Sequence, residues 1–261
     1  MVIYDTIGRS YRATRRPDPR IAAAIFEAIG EVGTVVNVGA GSGSYEPPET
    51  VVAVEPSTVM IDQRPAGSAP VVQAVAEAIP LADQSVDAAL AVLTVHHWTD
   101  VAAGVAEMRR VARKRLVFFT WWPERVAQFW LLEEYLPEVA KTDAAQAVPI
   151  EVLTGLLSDA HLTIRPVPVP HDCIDGFGAA FWRRPEAYLD PHVQAGISML
   201  AKTDPYSLRP GLAMLAEDLR TGRWRDQHAE LLQLEALDVG MATVSVDLQG
   251  PRRPGPSPEV E

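Results

Sequence analysis

The chain holds a single cysteine, Cys173. No disulfide can form within it, and a reducing compartment suits it. Basic charge is scarce: 23 Lys and Arg stand against 34 Asp and Glu, a net charge of −11. This balance argues against nucleic acid as the main partner, because neutralising phosphates takes a basic face. Long hydrophobic runs are missing. "AALAVLTV" (88–95) is the longest uncharged apolar stretch, far too short to span a bilayer. The opening "MVIYDTIGRSYRATRR" has no apolar core of signal-peptide length. Several catalytic signatures are absent as well. No Gly-Lys-Ser/Thr closes a phosphate loop, no nucleophile elbow appears, and no two carboxylates stand at a recognisable spacing. His96 and His97 are neighbours rather than an i, i+4 pair, so they make no metal motif. The expectation is a cytoplasmic protein with no metal, no membrane or nucleic-acid partner, and a monomeric or homodimeric state.

What is present is a strand–helix alternation. "DPRIAAAIFEAIG" (18–30) reads as a helix capped by Asp18, opened by Pro19 and ended by Gly30. Apolar strands are predicted at 34–38, 51–55, 71–74, 85–93 and 115–121, with helices at 57–64 and 100–113 between them. Near-continuous apolar strands separated by helices predict a parallel α/β sheet covered on both faces. The second half differs. "ERVAQFWLLEEYL" and "PIEVLTGLLSDA" read as helices, 161–169 as a strand, 171–230 as mostly helical, and 238–248 as a return to strand. A helical block between two late strands predicts an inserted lid. The tail from 249, rich in Pro and Gly, is expected to be disordered.

"VVNVGAGSGSY" (35–45) carries three glycines spaced two apart after a strand. Such a turn lets a ligand press on bare main chain; a phosphate, a dinucleotide and a phosphate-free nucleoside are the alternatives. A pyrophosphate needs the turn to open a helix. Here Pro47 and Pro48 follow at once and the next strand begins near Val51, leaving room for about one helical turn. Glu55, ending that strand, suits the hydroxyls of a ribose. A dinucleotide oxidoreductase shares the glycines and Glu55 but needs the missing helix.

These stretches together resemble the class I S-adenosylmethionine-dependent methyltransferases, within the small-molecule group that includes the ubiquinone and menaquinone methyltransferases. "VVNVGAGSGSY" resembles the first family motif, "VVAVEPS" the second, and "AVAEAIPLADQSVDAALAV" the third region with the strand after it. "LTVHHWTD" follows that strand. The likeness covers residues 4–121 well and the rest loosely. It implies a Rossmann-like, doubly wound, mostly parallel seven-stranded sheet with an antiparallel last strand and a helical lid. It divides the chain into a cofactor-covering segment (1–17), a core (18–170), a lid (171–230), a final strand (231–248) and the tail (249–261). It implies S-adenosylmethionine as cofactor and a small organic acceptor with an O, N or C nucleophile. Asn37 departs from the usual acid of the first motif; an amide keeps hydrogen bonding but not charge. A member that binds the cofactor without methylating is therefore a third reading.

The resemblance implies a cofactor site of Asn37, Gly39, Ala40, Gly41, Glu55 and Pro56, with the adenine edge near Ala76, Glu77 and Ala78 and the methionine end near Leu93 and Thr94. Tyr11 and Arg16 of the basic N-terminal stretch are expected to cover it, a fork from arginine suiting the carboxylate. His96 and His97, at the C-terminal end of a central strand, are the acid–base candidates or contacts to the cofactor; His97 is expected to face the cleft. Trp98, Phe177 and Phe181 are candidates for the acceptor pocket, although Phe177, Phe181 and Trp182 also suit a buried helix face. Trp121 and Trp122 are expected to split between cleft and core by strand alternation. "HDC" (171–173) reads as loop.

Overall fold

The fold is that of a computed structural model, which describes residues 15–249. Five strands run parallel: β1 (Val35–Val38), β2 (Thr50–Val54), β3 (Val71–Val72), β4 (Val86–Val92) and β5 (Ala112–Trp121). After them come β6 (His161–Pro166), β7 (Val169–Pro170), β8 (Ala236–Leu237) and β9 (Met241–Asp247). The main sheet has seven strands in the order β3-β2-β1-β4-β5-β9-β6. The last strand, β9, is antiparallel to both of its neighbours. The order reverses between β1 and β4, and a crevice opens beyond the carboxyl ends of strands at such a switch point.

Alternate residues of each strand supply opposite faces. Val35, Leu90, Val117 and Phe119 enter one hydrophobic cluster, while Val36, Ala89, Leu116 and Phe118 enter the other. The early helices are α1 (Pro19–Ile29), α2 (Thr58–Ile61) and α3 (Val101–Val111). α1 forms as its sequence predicts: the Asp18 carboxylate accepts from the N–H of Arg20 at 3.0 Å, and Ile21, Ile25 and Ile29 are buried. No helix separates β1 from β2, in line with the short, proline-rich connection.

The second half is less regular than its periodicity predicts. It contains α4 (Pro123–Ala127), α5 (Pro137–Gln146), α6 (Ile150–Leu156), α7 (Pro191–Gly196), α8 (Ser198–Ala201), α9 (Pro205–Thr221) and α10 (Arg223–Gln227). The helix read across "ERVAQFWLLEEYL" breaks after α4 and resumes as a wide π-turn, Leu131–Tyr135. Gly211 of α9 lies against the carbonyl of Tyr135, where a Cβ would stand only 1.9 Å away. The strand read over 161–169 stops at Pro166, and Val169–Pro170 pairs instead with Ala236–Leu237. Residues 171–184 are turns, not helix. The aromatic spacing there reflects tertiary contacts: Trp182 donates its indole N–H to the Val169 carbonyl at 2.9 Å, and Trp130 donates to the Trp182 carbonyl at 3.0 Å. Among the described residues no helix is long and apolar enough to cross a membrane.

Candidate active site

The glycine turn lies where the sheet order reverses. Gly39 and Gly41 have φ of +66° and +54°, a region open mainly to glycine. A Cβ on Gly39 would stand 2.1 Å from the Thr94 hydroxyl, so glycine lets the turn lie against the end of β4. The N–H groups of Gly39 and Ala40 donate to the Val54 carbonyl at 2.8 and 3.0 Å. Further along, the Arg64 Nη2 donates to both oxygens of Glu46, at 3.0 and 2.7 Å, both side chains nearly buried. Burial raises the Glu46 pKa, with Arg64 opposing. Packing and this ion pair fix a loop that has no helix to hold it.

Glu55 joins the turn to β2. Its carboxylate accepts from the N–H of Gly41 at 2.8 Å and from that of Ser57 at 2.9 Å. Asn37, in the middle of β1, is 1% exposed. Neither its Oδ1 nor its Nδ2 has a hydrogen-bond partner, yet the residue lines the cavity above the turn. A buried polar group left unpaired costs about 1–3 kcal/mol, so such an orphan calls for a bound partner.

That cavity measures about 500 Å³. Ala76 and Glu77 border it on one side. Glu77 accepts from the Thr99 N–H at 2.6 Å, the Thr99 hydroxyl at 2.9 Å and the Asp100 N–H at 3.1 Å. Burial works against its charge, but these donors hold its pKa below the usual value. On the other side Leu93 takes a φ of +49°, a strained conformation of a kind found at functional sites. It turns β4 into the short 3₁₀ helix Val95–His97.

That turn brings the histidine rings to 3.7 Å between centroids, with His96 edge-on to Trp121 at 4.8 Å. Burial, and then the charge of Lys202, bring His97 down to about 4. Burial, His97 and Lys202 also hold His96 well below its ordinary value. Both rings are neutral near pH 7.

A second chamber of about 110 Å³ adjoins the first. Arg15, Leu93, His96, Gln146 and Lys202 line both. Its other walls are largely apolar, including Trp121, Phe129, Phe177, Ile197 and Met199, while Asp143 lines this chamber alone. Arg15 is held at 2.6 Å from Asp175, which also accepts from the Tyr45 hydroxyl at 2.8 Å.

Of the expected cofactor residues, Asn37, Gly39, Ala40, Gly41, Glu55, Pro56, Ala76, Glu77, Leu93 and Thr94 line the large cavity, with His96, His97 and Trp98. Others do not meet there. Ala78 is exposed and outside the lining. Arg16 is also exposed, and its neighbour Arg15 lines the cleft instead. Adjacent side chains of an extended segment point apart, and basic composition does not set which one turns inward. Tyr11 lies outside the described residues. Phe177 reaches the second chamber, but Phe181 lines neither. It packs edge-on to Tyr188 and beneath the Arg184 guanidinium. Trp121 faces the second chamber, whereas Trp122 packs into the core. Arg15 belongs to the basic stretch that the sequence singles out, whereas sequence reasoning missed Tyr45, Gln146 and Lys202. Only Tyr45, next to the glycine turn, carried a local signal. Among the described residues no cluster of three His, Cys, Asp or Glu side chains forms a metal site.

The Methyltransferase domain family matches residues 36–119, from β1 to the end of β5. No curated protein matches the chain. Among solved structures, a protein of Anabaena variabilis described as a methyltransferase from an antibiotic biosynthesis pathway is 32% identical. The match covers 89% of this chain and 98% of that one, with a TM-score of 0.82. A Thermotoga maritima S-adenosylmethionine-dependent methyltransferase shares the fold at 15% identity, covering 94% and 92%, TM-score 0.52. The plantazolicin methyltransferase BpumL, solved with S-adenosylhomocysteine, does so at 12% identity, covering 93% and 90%, TM-score 0.53. The oxidoreductase alternative required a helix opening from the glycine turn, and none forms between Val38 and Thr50. At 32% identity over nearly the whole Anabaena protein the likeness is one of family, and the chain belongs to the class I S-adenosylmethionine-dependent methyltransferases.

Proposed function

We propose that the enzyme methylates an O, N or C nucleophile of a small organic molecule held in the second chamber. The observation that carries this is the shared boundary: the small, mostly apolar chamber meets the large cavity at Leu93 and His96. A chamber of this kind suits a small acceptor with few polar groups. The Anabaena relative, from an antibiotic biosynthesis pathway, supports an organic acceptor.

The residues present fit the cofactor. Asn37, buried and unpartnered, offers both a donor and an acceptor to its amino-acid end. Glu55, fixed by two main-chain N–H groups, is the ligand for the ribose hydroxyls. Ala76 and Glu77 border the adenine. Gly39, Ala40, Gly41, Pro56, Leu93 and Thr94 form the main-chain cradle. When bound, the cofactor supplies a methyl group already activated on a sulfonium. The chain's task is then alignment, exclusion of water and handling of one proton. Alignment contributes on the order of 7–11 kcal/mol in well-oriented reactions. His96 and His97, both neutral, are in the state that accepts a hydrogen bond or a proton. Their lowered pKa values make them weak bases, so orienting the acceptor is the larger part of their role. The insertion between β6 and β9 acts as the lid of the second chamber.

The test is a thermal shift with S-adenosylhomocysteine against NAD. A ligand at about 100 times its Kd adds ~2.7 kcal/mol of stability. The expected result is a higher Tm with S-adenosylhomocysteine alone; a response to NAD alone overturns the site assignment.

A further inference from the structure

Lys202 follows α8 in the lid, far in sequence from every motif. It lines both chambers. The one hydrogen bond of its ammonium among the described residues is long, 3.5 Å to the Gln146 side-chain oxygen. In the large cavity the carboxylates are Glu55 and Glu77, each already accepting from main-chain N–H groups. Arg15 is already forked onto Asp175, and His96 and His97 are neutral. Asp143, which draws on Lys202 electrostatically, makes no ion pair with it within 4.0 Å and borders the second chamber but not the first. Burial lowers the Lys202 pKa and raises that of Asp143, each opposed by the other. The junction thus holds an ammonium without a close anion. In the wall beside it the Trp121 indole N–H is buried and unpaired, and indole nitrogen only donates. Both donors belong to residues of the second chamber's wall, and its one carboxylate among the described residues, Asp143, makes no ion pair with Lys202.

Resting on the methyltransferase reading above, we propose that the second chamber takes a small, mainly apolar acceptor with one acidic hydroxyl, a phenol or an enol, and that Lys202 holds it there as the oxyanion. An amine fits less well: its cationic form is repelled by the Lys202 ammonium. The step balances. The hydroxyl proton passes to His96 or to water. The oxygen's electron pair forms the O–CH3 bond while the S–CH3 bond breaks with its pair left on sulfur. One anion and one cation disappear together, and the product is a neutral ether.

The experiment uses the full chain with S-adenosylhomocysteine and 4-nitrophenol, whose visible absorbance reports its ionised fraction. An opposite charge at close range moves a pKa by about 1–3 units. The bound probe is expected to ionise at a pH lower by that amount. Lys202→Met should abolish the shift, and Lys202→Arg, which keeps the charge, should retain it. 4-Nitrobenzylamine and 4-nitroanisole should bind more weakly. Failure of 4-nitrophenol to bind, an unchanged or raised pKa, the same shift in Lys202→Met, or tighter binding of the amine overturns the inference. The melting shift with S-adenosylhomocysteine reads the cofactor site separately. If that shift is present while the phenol result fails, only the acceptor class is wrong; if it is absent, the underlying reading fails too.

Discussion

Asn37 and Glu55 are opposite kinds of residue in one site. Glu55 is satisfied by two backbone donors before any ligand arrives, so it is pre-positioned. Replacing it with Ala removes charged hydrogen bonds and should weaken S-adenosylhomocysteine binding by about 1–3 kcal/mol, as read by calorimetry; an unchanged Kd in a folded variant means the ribose is held elsewhere. Asn37 is unsatisfied. Asn37→Leu should leave the free protein as stable or more so, because an orphaned amide gives way to an apolar group, while ligand affinity falls. A melting curve with and without S-adenosylhomocysteine separates the two effects, and a loss of free-protein stability without loss of affinity would contradict this role. Both residues were legible in the sequence because their place is set by a local motif: a strand, a glycine turn, and an acid ending the next strand. Lys202 was not. Its importance depends on packing between the lid and residues about a hundred positions earlier, which periodicity does not encode.

Among the elements, the loop after β1 and the turn after β4 are each shaped by backbone in the left-handed region, and they touch. Gly39→Ala should destabilise the protein by more than about 1 kcal/mol, since it strains a positive φ and drives a Cβ into Thr94; urea denaturation reads the loss, and Thr94→Ala should relieve part of it. The histidine turn sets a pH dependence. Because the folded pKa of His97 is lowered, the unfolded chain binds that proton more readily. Its contribution is complete above the ordinary value of 6.5 and is lost as pH falls toward about 4. The urea midpoint should fall over that window, and fall less in His97→Asn. Asp18 acts lower. Its pKa is reduced to about 2, first by the Arg20 side chain, so its contribution goes only as pH drops below 3.8. The α/β half was legible because buried parallel strands and capped helices announce themselves locally. The helical reading of 124–136 is interrupted, and that of 174–184 fails, where the chain bends to meet neighbours: the π-turn accommodates α9, and the aromatic turns are tied by indole-to-carbonyl bonds to Val169 and from Trp130.

At the scale of the whole molecule, Arg15, Tyr45 and Asp175 fasten three regions together: the N-terminal segment, the glycine loop and the insertion. All three side chains are buried. Asp175→Ala leaves Arg15 without its carboxylate and should cost about 3–5 kcal/mol, measured by denaturant unfolding, and should also loosen ligand binding because Arg15 and Tyr45 both line the large cavity. A loss confined to stability would mean that the fastening does not shape the cleft. The insertion itself departs after Pro166 and returns just before Ala242, and those two residues are register partners on neighbouring strands. Its exit and re-entry are thus side by side. A segment with adjoining ends can be exchanged for one of another length or sequence while the strands on either side keep their pairing. Under the proposed lid role, an exchanged insertion that keeps the Pro166–Ala242 pairing and the Asp175 grip on Arg15 should leave the sheet folded and S-adenosylhomocysteine bound, as a melting curve would read.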